Sequence, residues 1–305
     1  MFDRHRESGM HWEQGSVYDL SWSSDGNLLT AAGSKGPVRS WRLERGGHKE
    51  GEAHKGIEGN IERLAWCPAS QDPNILAAAP YDKVVYLWDY RTGVVQTKLD
   101  TDKINSDICW SHSGRYLASA SRDEGLAIFD VTQPQSPVFS AEVDGTINSV
   151  RWSVDDKLVF LATHVGTVEV FAWPTMEHLT MVPAHAASCN CVGVDPRGRL
   201  LATGGADATM ELWTTDDFSL RNTVDGFESP LLSANFSMDG EFVACASDDL
   251  NIMIHAASTG KLVHRLGLDL MATALEWHPR KLAFAYGTTP QSNKSMVKPS
   301  VKIFL

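Results

Sequence analysis

The sequence has no apolar run approaching the length of a membrane span. Its first residues, Met1-Phe2-Asp3-Arg4-His5-Arg6-Glu7, are charged where a secretory leader would be apolar. Cysteine is sparse and odd in number. Cys67, Cys109, Cys189, Cys191 and Cys245 mostly fall inside expected strands, a pattern of reduced, buried thiols rather than a disulfide framework. Cations are outnumbered, with 27 Lys and Arg against 38 Asp and Glu, a net charge of −11. Wrapping nucleic acid draws its affinity from cations that neutralise phosphates, so this balance argues against it and suits partners with basic segments. Catalytic signatures are missing too: no serine stands in a Gly-x-Ser-x-Gly elbow and no His-Glu-x-x-His helix occurs. Ser258-Thr259-Gly260-Lys261 lacks the strand–loop–helix setting of a phosphate loop, and Cys189 with Cys191 has no second ligand pair at zinc-knuckle spacing. These absences point to a soluble intracellular protein with no cofactor, metal, membrane or small-molecule substrate.

What is present is a repeat. An alternating apolar run, an aromatic anchor and a Ser/Asp/Gly turn return seven times, at Trp22, Trp66, Trp110, Trp152, Val194, Phe236 and Trp277. The intervals are 44, 44, 42, 42, 42 and 41 residues. A second series follows in phase: Trp41, Trp88, Phe129, Phe171, Trp213, His255 and Phe304. Repeat five is the fullest. Residues 188–194 alternate and end at Asp195-Pro196-Arg197-Gly198, residues 199–204 form a second strand and 208–213 a third, and a more polar stretch near 217–224 suits an outer edge. A fixed period of this length, with endings such as Trp88-Asp89, resembles the WD40 β-propeller, one four-stranded blade per repeat. The expected fold is therefore all-β, a single seven-bladed wheel over residues 1–305. The seventh repeat reaches only its third strand at Ser300–Leu305, so a segment around Arg6 to Trp12 is expected to complete that blade and close the ring.

The resemblance implies a buried hydrogen-bonded tetrad in repeat five, His185, Thr203, Asp207 and Trp213. Other repeats keep it in part: His54, Asp82 and Trp88 in repeat two, with Ala78 in place of the hydroxyl, and Ser119 and Asp123 in repeat three. Lys35 and Val165 replace the Asp in repeats one and four. A buried carboxylate is costly unless paired, so such a chain must be nearly complete to stabilise anything. His185 with Asp207 and Thr203 could pass for a catalytic triad, but its degenerate recurrence favours a structural role.

Residues just before the turn Asp are expected on the narrow face: Tyr81, Arg122, His164, Ala206 and Asp248. Tyr81 and Arg122 are residue types favoured as interface anchors. The loop 287–300 is longer than its counterparts and holds two lysines, Lys294 and Lys298, with Met296 and no acid; it reads as a solvated loop or a partner-docking arm.

Several stretches also resemble the WD-repeat subunit (subunit 3) of the THO complex. They are Ala184 through Gly198, Ala202-Thr203-Gly204-Gly205-Ala206-Asp207-Ala208, Ile108 through Gly114, and Glu276 through Ala285. That resemblance implies a nuclear, non-catalytic subunit of a transcription–export assembly. It would dock on large helical THO subunits within a multiprotein mRNP assembly, with direct RNA contact weak and made mainly elsewhere. One rival is a stand-alone reader of basic peptides, such as a histone-tail or ubiquitin-ligase substrate receptor with an acidic central mouth. Another is a propeller enzyme, which would need ionisable side chains from several blades at the channel mouth; the sequence identifies none.

Overall fold

The computed structural model describes residues 7–10, 12, 15–34, 37–44, 47–53, 60–68, 72–143, 145–290 and 297–304. Among them are 28 strands and no helix, arranged as seven four-stranded antiparallel sheets. The innermost strands are β2 (Val17–Trp22), β6 (Ile61–Trp66), β10 (Asn105–Trp110), β14 (Ile147–Trp152), β18 (Cys189–Val194), β22 (Leu231–Phe236) and β26 (Met271–Trp277). The seven sequence anchors are the last residues of these seven strands.

Register shows why the two series run in phase. In blade two Trp66 lies opposite Leu76, which lies opposite Trp88; in blade five Val194, Leu201 and Trp213 form the same row. Each row runs across three strands of one blade, so the period of the sequence is the period of the sheets. The apolar side chains gather in seven clusters, each at the junction of two neighbouring blades. A single blade cannot bury its faces alone, and the ring is the smallest unit that buries them all.

The ring closes at the seventh blade. β1 (Glu7–Met10) pairs antiparallel with β28 (Val301–Phe304), outside β27 (Phe284–Thr289) and β26. Met10 and Trp12 are buried, and the Trp12 ring lies 6.2 Å from that of Trp41. Glu7 accepts from the Tyr286 hydroxyl and pairs with Lys302 Nζ at 3.1 Å.

Among the described residues, indole N–H groups fasten five of the seven junctions. Trp110 Nε1 donates to Ala65 O at 3.0 Å, Trp152 Nε1 to Cys109 O at 3.2 Å and Trp277 Nε1 to Asn235 O at 2.9 Å. Trp22 Nε1 donates across the seam to Glu276 O at 3.3 Å. A Trp at this position therefore supplies both apolar area and a donor to the preceding blade, which Val194 and Phe236 cannot.

Candidate interaction surface and central channel

Every blade runs as the same meander, so the turns between second and third strands share one face of the ring. Tyr81, Arg122, His164, Ala206 and Asp248 all occupy these turns. The structure brings three of them together. The Arg122 guanidinium lies 5.8 Å from the Tyr81 ring centroid and 3.1 Å from Glu62 Oε2. Thr146 Oγ1 donates to Arg122 O at 3.0 Å, and Thr146 N–H donates to His164 Nδ1 at 3.1 Å. Blades two, three and four thus share a continuous polar strip. Tyr81 is 53% exposed and Val165, beside His164, 59%. Asp248 lies apart in blade six, its N–H bonded to Pro230 O. Lys298 is exposed just before the last strand, and Lys294 and Met296 lie outside the described residues.

In blade five, His185 Nδ1 lies 3.1 Å from Asp207 Oδ1 and Nε2 lies 2.9 Å from Thr203 Oγ1, while Trp213 Nε1 donates to Thr203 Oγ1 at 3.2 Å. Burial lowers the His185 pKa, with Asp207 pulling the other way. Burial also works against the Asp207 carboxylate, but donors from Thr209, His185 and the Ala186 N–H outweigh it and hold its pKa below the ordinary range. In blade three Ser119 Oγ donates to Asn105 Oδ1 instead, and Lys103 Nζ bonds the Asp123 carbonyl. His54 and Lys35 lie outside the described residues. His255 fills the aromatic position of blade six as a buried ring, with Nδ1 3.0 Å from Gly260 O and a pKa lowered by burial.

The central channel, about 440 Å³, holds what the sequence reading did not find: ionisable side chains from several blades. Asp19, Arg63, Asp107, Arg151 and Glu276 come from blades one, two, three, four and seven. The innermost pair of strands in every blade carries a β-bulge, and Asp19, Arg63 and Asp107 are the residues that follow it. Such bulges re-aim side chains, here toward the axis. Asp107 is 5% exposed; Arg151 Nη1 donates to it at 2.7 Å, and Arg63 Nε stands 3.6 Å away. It also accepts from Ser149 Oγ and Val150 N–H of the next blade. Asp19 accepts from Leu64 N–H at 2.8 Å and Glu276 from Trp22 N–H at 2.8 Å. Three carboxylates thus each reach a backbone amide of the following blade. Burial pushes Asp19 up to about 6 and Glu276 well above the usual range, and each is raised further by the charge of a neighbouring carboxylate.

The WD40 family (WD domain, G-beta repeat) matches residues 8–41, 96–130 and 176–214. THO complex subunit 3 of Arabidopsis thaliana is 31% identical over 280 residues, covering 91% of this chain and 88% of that protein. The chain belongs to the THO complex subunit 3 family of WD40 propellers. WD repeat-containing protein AAC3 of Dictyostelium discoideum is 28% identical over 309 residues, covering 93% of this chain and 64% of that protein. Serine-threonine kinase receptor-associated protein of Bos taurus is 27% identical over 199 residues, covering 65% of this chain and 55% of that protein.

In this WD40 propeller the missed channel residues had a readable signal. They stand three positions before the anchor (Asp19, Arg63, Asp107) or one before it (Arg151, Glu276), and aligning the repeats on the anchor exposes both columns. Glu62 and Thr146, which hold the Tyr81–Arg122–His164 strip, had none: each acts through a neighbouring blade.

Proposed function

We propose that the chain is a non-catalytic docking subunit of a nuclear THO-like assembly that couples transcription to mRNA packaging and export. In this reading residues 1–305 act as one wheel that holds large helical subunits, and RNA is contacted mainly by other members. The observation that carries it is the match to THO complex subunit 3 along 88% of that protein's length. The polar strip of Tyr81, Arg122 and His164, with exposed Val165 beside it, is the docking face we assign. The channel carboxylates reach backbone amides of adjacent blades, which makes them ring fasteners rather than acid–base groups. They also supply the one observation that favours a second reading, a reader of basic peptides at the channel mouth.

Affinity purification from nuclear extract, followed by mass spectrometry, separates the two. The docking reading expects a stable multi-subunit particle, and expects Tyr81→Ala with Arg122→Glu to reduce its recovery several-fold at unchanged thermal stability. Undiminished recovery moves the interface to another surface. A chain recovered alone that binds basic peptides in a salt-sensitive way supports the second reading.

A further inference from the structure

The outer rim between blades three and four is open. A cleft of about 470 Å³ lies there, within the range of sites that take anchoring side chains. One wall is β13 (Phe139–Glu142), the outer strand of blade three, continued by Val143. The other is β16 (Thr167–Ala172) and β17 (Glu177–Pro183) of blade four. Phe139, Val143, Phe171 and Met176 line it and are only partly buried. A bulge between β16 and β17 places Met181 opposite Glu169, so it shares that residue's cleft side; Met181 is 48% exposed.

The two outer strands differ in composition from four of the other five; β1, the outer strand of blade seven, likewise has no Lys or Arg. Outer strands are free sheet edges, and cationic side chains commonly guard them. β5 (Gly47–Ala53) carries Lys49, β9 (Val94–Asp100) Lys98, β21 (Leu220–Val224) Arg221 and β25 (Leu262–Gly267) Arg265. Neither β13 nor β17 has a Lys or Arg. Glu142 and Glu169 line the cleft instead, and Glu124 stands at its end, its carbonyl accepting from the N–H of Val143. Lys103 answers Glu142 at 3.2 Å and His178 answers Glu169 at 2.7 Å. The rim therefore keeps a surplus of negative charge over an apolar floor.

We propose that this cleft is a docking groove for a basic amphipathic helix of a partner protein, distinct from the Tyr81 face and independent of which assembly the chain joins. Charge complementarity sets the sign of the partner. Geometry sets its form: both walls offer side chains to the cleft, while the backbone edges of β13 and β17 lie in the planes of their own sheets. An extended peptide would pair with those edges and leave the cleft unfilled; a helix inserts apolar side chains spaced i, i+3, i+4 and i+7 and keeps its lysines at the rim.

The test uses the full chain and a fluorescein-labelled synthetic helix with leucines at that spacing and lysines on both flanks. A scrambled peptide of the same composition and a version with Glu for Lys serve as controls, read by fluorescence anisotropy. Saturable binding of the amphipathic basic helix is expected. Met181→Lys with Val143→Lys should weaken it about tenfold or more, and the controls should bind at least about tenfold more weakly. Equal binding by the scrambled or acidic peptide, wild-type affinity in the double variant, or no saturable binding overturns the proposal. Should the double variant fail to fold, hydrogen exchange of the wild-type chain decides: protection by the helix at 139–143 and 169–181 supports the groove, and protection elsewhere overturns it. A concentration-dependent dimer abolished by the double variant would assign the cleft to a second copy and equally overturn the proposal.

Discussion

Asp207 shows how much one side chain can organise. Its two oxygens accept from Thr209, from the Ala186 N–H and from the His185 ring, whose other nitrogen reaches Thr203 and through it the Trp213 indole. The chain spans a loop, two strands and a turn of one blade, with Thr203 and the His185 ring fully buried. Removing the carboxylate leaves a buried imidazole and an amide short of partners, and buried polar groups cost most when half satisfied. Asp207→Ala should lower unfolding stability by about 2–3 kcal/mol in denaturant titration. Asp217→Ala, at an exposed turn of the same blade, should cost clearly less. Equal losses would mean that the tetrad contributes no more than a surface turn.

At the scale of the strand, the repeated bulge of the innermost pairs does two things. It turns Asp19, Arg63 and Asp107 toward the axis, and it lets Asp19 and Asp107 reach amides of the next blade. Burial makes the charged form of Asp19 unfavourable, so its folded pKa of about 6 lies above its ordinary value of 3.8. The folded state therefore binds that proton more tightly than the unfolded state. The resulting stabilisation is full below about pH 4 and is lost as pH rises through about 6; Glu276, also raised, acts in the same direction. Asp19→Asn removes the Asp19 share, about 1–3 kcal/mol after allowance for channel water. Thermal melts between pH 4.5 and 8 should show a smaller fall in the variant than in the wild type. Parallel curves would show that Asp19 is as well solvated folded as unfolded.

The same strands explain what could be read in advance. Trp66 and Trp88 are visible because one blade needs both in one row, and that row recurs at a fixed period. The outer strand of blade seven was legible because the last repeat lacked one. The Asp107–Arg151 pair was not, since its members lie 44 residues apart and meet only when blades three and four are side by side. Phe139 and Met181 were equally silent: nothing local marks an outer strand as one wall of a cleft.

For the whole molecule the decisive feature is closure. The seam between blades seven and one is held by Trp22 with Glu276, by Thr273 with the Val17 carbonyl, and by β1 laid along β28. An open ring would leave the β28 edge unpaired and the packed faces of blades one and seven uncovered, and would offer partners a deformable surface instead of a fixed one. Both the Tyr81 strip and the cleft between blades three and four depend on blades held in register around a shut circle. Gly9 and Lys302 face each other across the β1–β28 pair, and a side chain added at Gly9 meets nothing within 4 Å. Gly9→Cys with Lys302→Cys, oxidised and followed by non-reducing mass spectrometry and thermal melting, therefore tests the closed wheel directly. A closed wheel gives an intramolecular disulfide in the monomer and a higher melting temperature; thiols that stay free, or that pair only between molecules, would contradict it.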